Sequence, residues 1–196
     1  MPNLWWLVVP ILLFTPGGPR ANQEGLDRSV KIIKRGRVVL DASPDHLISP
    51  CVVRGDSGFR MWYARTHFFT EDDPLFSEFP WLRDEKHTWF IEHATSTDGI
   101  TWRNQRRVIG PCMADGIKLT QAHQPSVVRE EDGYRMWFNG REKDTGLYRM
   151  FHSRSIDVIT WEPPSLAMDP GPEGSVHERS VGGCSVIAED GQYRMW

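Results

Sequence analysis

A short motif that occurs three times constrains this chain more than any other feature. It has the sequence FRMWY at 59–63, YRMWF at 134–138 and, one residue shorter, YRMW at 193–196. An apolar segment precedes each copy, and an acidic or glycine-containing turn joins the two. Apolar segments joined by a turn of Asp and Gly are typical of a β-hairpin. The sequence therefore predicts three copies of one hairpin.

A second repeated element follows the hairpin. TSTDGITW at 95–102 is echoed by HSRSIDVITW at 152–161. The final tryptophans of these two segments are 59 residues apart, and so are Met136 and Met195 of the second and third hairpins. The first and second hairpin methionines are 75 residues apart, which indicates an insertion of about sixteen residues within 66–86. Two independent landmarks with one period indicate a repeated structural unit.

Each unit contains four strand-like segments, which is the content of one β-propeller blade. Helical periodicity is not sustained anywhere in the chain. We therefore predict an all-β fold of the propeller type over residues 30–196, with about two and a half four-stranded blades. A solenoid of small sheets is the structural alternative.

The two ends of the chain predict an incomplete propeller and a leader segment. The third unit stops at Trp196 in its second strand, and residues 31–40 (KIIKRGRVVL) resemble an outer strand that lacks its blade. The sequence thus predicts an incomplete propeller with open sheet edges. Residues 1–29 are assigned to a leader or disordered segment.

The leader contains an apolar run, WWLVVPILLF at 5–14, that is too short to span a bilayer. Pro-Arg-Ala at 19–21 could end a signal-peptide cleavage site, whereas a misassigned start or a strand remnant would explain the run equally well. The protein is expected to be secreted or periplasmic if residues 1–21 are a signal peptide, and cytoplasmic otherwise. No membrane span is predicted.

Charge and cysteine content exclude other classes of function. The net charge is −3 and the chain has no extended basic run, so a nucleic acid partner is not expected. The three cysteines lack the spacing of a zinc site, and neither a metal nor a cofactor is predicted. Nine tryptophans in 196 residues need burial or a ligand on which to stack, which points to a core and to a platform for a sugar.

The Met-Trp-Tyr hairpins, together with STDGITW at 96–102, resemble the five-bladed β-propeller superfamily of glycoside hydrolases, which includes arabinanases, xylosidases and β-fructofuranosidases. The resemblance runs from about Val30 to Trp196. It implies a carbohydrate substrate, hydrolysis of O-glycosyl bonds and a site where the innermost strands begin, at the mouth of the central channel.

The segment at 96–102 also resembles a sialidase Asp box that is one residue shorter than usual. Asp boxes are structural, so Asp98 is expected to stabilise a turn through backbone N–H groups rather than to catalyse. The second copy of the segment is expected to have lost the Asp-Gly pair.

Glycoside hydrolysis needs two carboxyl groups on opposite sides of the scissile bond. The resemblance places a base or nucleophile in the first unit and an acid in the third, and Asp45 and Glu178 take those places. Asp115 is the nearest candidate for a supporting carboxylate in the second unit, although His123 lies closer to the strand. The alternatives are that Asp45 only caps a turn and that Glu178 is an ordinary loop residue.

Several residues near the same strand ends could bind the substrate. His46 and His123 lie at the starts of equivalent strands and could instead be structural. Surface arginines are more often solvated than ligand-binding. The candidate arginines are Arg65, Arg141 and Arg179. Aromatic residues of the insertion could wall a sugar subsite or pack the loop onto its blade; they are Phe68, Phe69, Phe76, Phe79 and Trp81.

Three functions are therefore weighed. The chain could belong to a glycoside hydrolase or a phosphorylase of similar fold, to a carbohydrate-binding or scaffold propeller without turnover, or to an inactive fragment. The fold alone does not choose among them.

Overall fold

The computed structural model of the protein describes residues 45–196, and most of these lie in β-strands. The expected leader at 1–29, the predicted start of the propeller at residue 30 and the strand-like segment at 31–40 lie outside the described residues. Within the described part, no helix is long and apolar enough to cross a membrane.

The first unit forms a four-stranded antiparallel sheet with its strands in chain order, β1-β2-β3-β4. The insertion predicted between its second and third strands is present and carries one short helix and one 3-10 turn. The elements are β1 Leu47–Gly55, β2 Gly58–Phe68, α1 Leu75–Glu78, the 3-10 turn Pro80–Leu82, β3 His87–Ser96 and β4 Arg103–Ile109.

The second unit repeats this sheet and adds a short strand on the inner side, giving the order β5-β6-β7-β8-β9. Only the hairpin of the third unit is present, as β10 and β11. The elements are β5 Cys112–Ala114, β6 Ile117–Glu130, β7 Gly133–Glu142, β8 Tyr148–Ser155, β9 Ser165–Met168, β10 Val186–Glu189 and β11 Gln192–Met195. The described chain thus confirms the all-β fold predicted from the repeat, with two blade-like sheets and half of a third.

The three hairpins share one register. Met61, Met136 and Met195 lie opposite Val52, Val127 and Val186. Each inner strand also has a residue with left-handed backbone at the same place in the repeat: the φ angles are 53° at Ser49, 54° at Gln124 and 69° at Gly183. In the first two units this residue lies within a β-bulge. A bulge bends a strand, so β1 and β6 are bent near their starts, whereas Gly183 lies just before β10.

The faces of the first two sheets pack on each other through aromatic residues. Trp62 of β2 is fully buried and contacts Tyr134 and Trp161 of the second unit, with ring centroids 5.5 Å and 6.4 Å apart. His93 of β3 lies beside the same indole at 5.0 Å. The repeated tryptophans therefore build the core between blades.

Small polar side chains join neighbouring inner strands. The Val127 N–H donates to Cys51 Sγ over 3.2 Å, and the Val186 N–H donates to Ser126 Oγ over 2.9 Å. Cys51 and Ser126 occupy equivalent positions, and so do the two valines. The same joint therefore holds the first sheet to the second and the second to the third hairpin.

The two Asp-containing turns are also equivalent. Asp98 Oδ1 accepts hydrogen bonds from the N–H groups of Ile100 and Thr101, which confirms its role as a turn stabiliser. Asp157 makes the same two bonds to Ile159 and Thr160. The expectation that the second copy had lost the Asp-Gly pair is thus wrong for the aspartate.

Only the glycine of that pair is replaced in the second unit. Gly99 has φ 70° and its counterpart Val158 has φ 68°, so a β-branched residue takes the left-handed conformation there. Val158 is buried in the core between the sheets. Packing therefore offsets the backbone strain that this conformation imposes on valine.

Candidate functional site

The predicted site residues lie at the end of the sheets where β1 and β6 begin and β2 and β7 end, which we call the mouth end. The hairpin turns lie at the opposite end. His46 is fixed at the mouth end by Thr66: its N–H donates to Thr66 Oγ1 over 2.7 Å, and its carbonyl accepts from the Thr66 N–H over 3.0 Å. This pairing sets the position of Asp45, the residue before it.

Asp45 lies beside an arginine of β2. Arg65 Nη1 is 3.4 Å from Asp45 Oδ2, and Arg65 Nε is 3.1 Å from Glu92 Oε2. Arg65 thus bridges two carboxylates, one at the entrance of β1 and one on β3. The Arg65 guanidinium therefore contacts a carboxylate on each of two sides, and these two contacts orient it.

Glu92 is a site residue that the sequence reasoning missed. Its side chain is only 9% exposed, and it accepts a hydrogen bond from the Tyr63 hydroxyl over 2.8 Å. Burial and the adjacent Glu92 carboxylate raise the pKa of Tyr63 above its ordinary value. Arg107 approaches from β4, with Nε 3.9 Å from Glu92 Oε1. The sequence feature that could have identified Glu92 is that it is the only carboxylate in β3, a strand of mostly buried residues. A buried charge needs partners, so such a residue is expected to have them.

The insertion packs across the start of the second sheet. The Trp81 indole N–H donates to the Leu119 carbonyl over 3.1 Å, and the Thr88 hydroxyl donates to the Thr120 carbonyl over 2.6 Å. Glu85 of the insertion accepts a 3.2 Å hydrogen bond from Arg141. Arg141, a predicted substrate-binding residue, is therefore engaged in holding the insertion in place.

Most aromatic residues of the insertion serve this packing. Phe76 is buried and contacts Phe69, with ring centroids 5.0 Å apart, and Phe79 lies edge-on to Trp81 at 5.5 Å. Phe68 differs, because it is 49% exposed at the end of β2. The sequence left two roles open for these residues, lining a sugar subsite or packing the insertion onto its blade. Four of the five aromatic residues pack, and Phe68 is exposed enough to contact a ligand.

In the second sheet, His123 is not the counterpart of His46. The shared register makes Gln121 equivalent to His46 and His123 equivalent to Ile48, two residues deeper into the strand. Gln121 Oε1 accepts a 3.2 Å hydrogen bond from the Tyr148 hydroxyl. Burial lowers the pKa of His123 to about 4, so the imidazole is neutral at pH 7. The two histidines looked alike because a two-residue offset is invisible before the register is known.

Asp115 lies at the tip of the β5–β6 turn. Its Oδ2 accepts a hydrogen bond from the Leu166 N–H of β9 over 2.7 Å. Since β9 is the last strand of the second sheet, this contact fastens the turn to the sheet's far edge. No local pattern indicates this partner, which is 51 residues away in the chain.

Glu178 and Arg179 precede the third inner strand. By the repeat, Arg179 corresponds to Thr120 and Asp45, so Glu178 lies one residue before the position equivalent to Asp45. Glu178 Oε2 accepts a hydrogen bond from the Gly174 N–H over 2.6 Å. The Arg179 side chain is 90% exposed and lies 3.6 Å from Glu178 Oε1.

Of the predicted site residues, the structure brings Asp45 and Arg65 into contact, and Glu178 and Arg179. Among residues 45–196, no group of three or more His, Cys, Asp or Glu side chains could hold a metal ion. The three cysteines are unpaired thiols, and burial raises the pKa of Cys112 and Cys184 to about 11. The site is therefore built from carboxylates, arginines and rings.

Sequence comparison finds relatives of no stated function. A Mycobacterium tuberculosis protein whose name describes it only as uncharacterised is 33% identical over 135 residues, or 68% of this chain. A second strain of that species has a protein with the same identity and coverage. The chain spans 39% of the length of these relatives. No protein-family model matches.

Similar solved structures are more informative about the fold. An N-acetylgalactosamine deacetylase from F. plautii superimposes with a TM-score of 0.56 at 23% identity, covering 76% of this chain and 40% of that one. A family 117 glycoside hydrolase from Zobellia galactanivorans gives 0.58 at 14% identity, covering 79% and 48%. A structure of the GH130 family of mannoside phosphorylases and glycoside hydrolases gives 0.51 at 16% identity, covering 76% and 42%.

These similarities define the class of the fold. The described part of the chain shares its fold with these structures and is consistent with the incomplete β-propeller that the sequence predicted.

Proposed function

We propose that this chain forms part of a carbohydrate-active propeller of the glycoside hydrolase type, with Asp45 and Glu178 as its pair of carboxyl groups. The observation that carries the proposal is their placement in the repeat. Asp45 enters the first inner strand at the mouth end, and Glu178 lies one residue before the equivalent position of the third. Blades around one axis place equivalent positions on one rim, where a sugar could lie between the two carboxyls.

The surroundings of each carboxyl suit different roles. Asp45 is held by Arg65, which Glu92 fixes from the other side, and a carboxylate oriented in this way suits a base or nucleophile. Glu178 lies on a loop, with one oxygen bound by the Gly174 N–H. We assign Glu178 the remaining role, that of the acid that protonates the leaving oxygen.

The similar structures support a carbohydrate ligand more strongly than one reaction. The three are a deacetylase bound to a trisaccharide, a glycoside hydrolase, and a member of a family of phosphorylases and hydrolases of mannosidic linkages. What these proteins share is a carbohydrate, while the bond that is broken differs. We accordingly propose a sugar as the ligand and hydrolysis as the reaction to test first.

The test is turnover of a panel of aryl glycosides by the protein and its variants. Asp45→Asn and Glu178→Gln are each expected to lower kcat at least 100-fold, because each removes a group that acts on the scissile bond. Asp115→Asn is expected to leave kcat unchanged, because its carboxylate is bonded to the β9 backbone. Normal turnover in both the Asp45→Asn and Glu178→Gln variants would contradict the hydrolase proposal.

A specific observation favours carbohydrate binding without turnover as the second candidate. The position equivalent to Asp45 in the second sheet is Thr120, which supplies no carboxylate. Under this alternative His46 and Arg179, the exposed members of the predicted substrate-binding set, would still contact the sugar. Sugar binding that persists with no turnover of any aryl glycoside would favour it.

A further inference from the structure

One aromatic side chain at the mouth end remains exposed although it lies at the end of a regular strand. Phe68 is 49% exposed, and the His46 and His87 rings flank it with centroids 5.9 Å and 5.8 Å away. Trp89 lies beyond His87, at 6.5 Å. We call these four residues the aromatic row. These contacts leave about half of Phe68 exposed, at 49%.

The aromatic row is held by the strands beneath it. Phe68 pairs with His87, and Thr66 pairs with Trp89, in the β2–β3 ladder. The backbone of His46 is bonded to Thr66 on the other side of β2. The backbone positions from which the rings project are therefore set by three adjacent chain segments.

We propose that the aromatic row binds one sugar ring of a neutral carbohydrate, with the C–H face of the ring stacked on Phe68. A phenyl ring between two imidazoles offers an apolar face with polar edges. Imidazole nitrogens can both donate and accept hydrogen bonds, as sugar hydroxyls require. The inference rests on the proposed function, since it takes the ligand class from there and adds the residues that contact it.

A sugar ring fits the size of the row better than a protein partner does. A stable protein interface buries about 800 Å² on each side, which far exceeds what one half-exposed phenyl ring can offer. The row includes His46, whose neighbour in the chain is Asp45.

Saturation-transfer difference NMR tests the proposal without any turnover. The probes are methyl β-D-glucopyranoside, methyl β-D-galactopyranoside and methyl α-D-mannopyranoside at millimolar concentration. We expect at least one to show transfer concentrated on the C–H protons of one ring face. Phe68→Ala should reduce that transfer at least fivefold, whereas Phe68→Trp should retain it because the indole also stacks.

Ile156→Ala is the matched control, because it truncates a side chain that is 79% exposed in the Asp157 turn, away from the aromatic row. It should leave the transfer unchanged. Absence of transfer from all three glycosides, or equal transfer to the Phe68→Ala variant, would overturn the aromatic-row proposal. The hydrolase proposal fails by a different result, namely normal aryl-glycoside turnover by the carboxylate variants.

Discussion

At the scale of single residues, Glu92 has the most contacts to charged and polar side chains in the candidate site, although it belongs to no recognisable motif. Glu92 is buried on β3 with Tyr63, Arg65 and Arg107 around it. Sequence reasoning found Asp45 and Arg65 because they flank recognisable strands. Glu92 stands in the middle of a strand, and its importance arises from neighbours that only the β2–β3 register brings together.

Removing Glu92 should therefore destabilise the first sheet. Glu92→Ala leaves Arg65 without its buried partner, and loss of one member of a buried ion pair costs about 3–5 kcal/mol. Urea unfolding followed by tryptophan fluorescence measures this loss.

The matched control is Tyr63→Phe, which keeps both charges and removes one hydrogen bond, for an expected loss of about 1 kcal/mol. Equal losses in the two variants would show that the ion pair contributes nothing beyond the hydroxyl.

His93 makes stability depend on pH. Burial, aided by the charges of Arg60 and Arg106, lowers its pKa to about 4 from 6.5, and neither ring nitrogen has a hydrogen-bond partner among the described residues. The unfolded chain therefore binds a proton more readily than the folded one. Above pH 6.5 His93 is neutral in both states and does not lower the free energy of unfolding. As the pH falls from 6.5 towards 4, protonation of the unfolded chain lowers that free energy by about 3 kcal/mol in all.

Chemical denaturation at a series of pH values between 7 and 4 tests this dependence. His93→Gln should flatten the decline in the free energy of unfolding, and the remaining slope should come largely from His123, whose pKa is also about 4. His177→Gln, a change at an exposed loop position, serves as the control and should leave the slope as it was. An unaltered slope in the His93 variant would contradict the assignment.

At the scale of elements, the sequence predicted the hairpins well and the turns only in part. The Arg-Met-Trp strands were recognisable because their alternation and Asp-Gly turns are local signals. The turn at 155–160 was misjudged because Val158 stands where the first copy has Gly99. Its left-handed conformation is maintained by burial against the neighbouring sheet, which no local pattern encodes.

The two Asp turns should make the stability of the protein fall in acid. Backbone hydrogen bonds from Thr101 and Ile100 lower the pKa of Asp98 to about 2, and the equivalent bonds lower that of Asp157 to about 2. Both carboxylates are thus harder to protonate in the folded chain. Their stabilisation is present above about pH 4 and is lost as pH falls towards 2.

The double variant Asp98→Asn, Asp157→Asn should accordingly show a flatter loss of stability between pH 4 and pH 2. Asp144→Asn changes an exposed aspartate and is expected to follow the unaltered protein. Thermal unfolding monitored by circular dichroism at half-unit pH steps compares the three. A double variant with the same acid dependence as the control would contradict the pKa assignment.

At the scale of the whole molecule, the repeat predicted the fold because a 59-residue period requires the same sheet to form again. It placed Asp45 and Glu178 near equivalent strand entrances for the same reason. It could not show that Arg141 holds the insertion or that Asp115 bonds to β9, since both contacts join segments more than 50 residues apart. Tertiary partners of this kind have no sequence period.

The third hairpin depends on a buried amide of the second sheet. Asn139 donates to the Val181 carbonyl over 2.6 Å and accepts from the Gly183 N–H over 3.1 Å, and a Cβ on Gly182 would lie 1.9 Å from its amide nitrogen. Asn139→Ala and Gly182→Ala should therefore loosen residues 181–196 from the second sheet.

Hydrogen exchange measures that loosening by segment. Amides of β10 and β11 should exchange at least tenfold faster in both variants, while those of β2 and β3 keep their rates. Gly174→Ala is the control, because a Cβ there meets no atom within 4 Å, although its φ of 84° adds local strain. Unchanged exchange in β10 and β11 of the Asn139 variant would show that the hydrophobic contacts suffice.

The joint between inner strands has a consequence for how such a chain can evolve. Cys51 and Ser126 bind main-chain groups of the next unit, and the N–H group from which each accepts is one that every amino acid except proline carries. This joint can therefore persist when the side chain that follows it changes. A duplicated gene segment would encode a neighbour that already fits, and a catalytic residue could be gained or lost in one unit while the others remained in place.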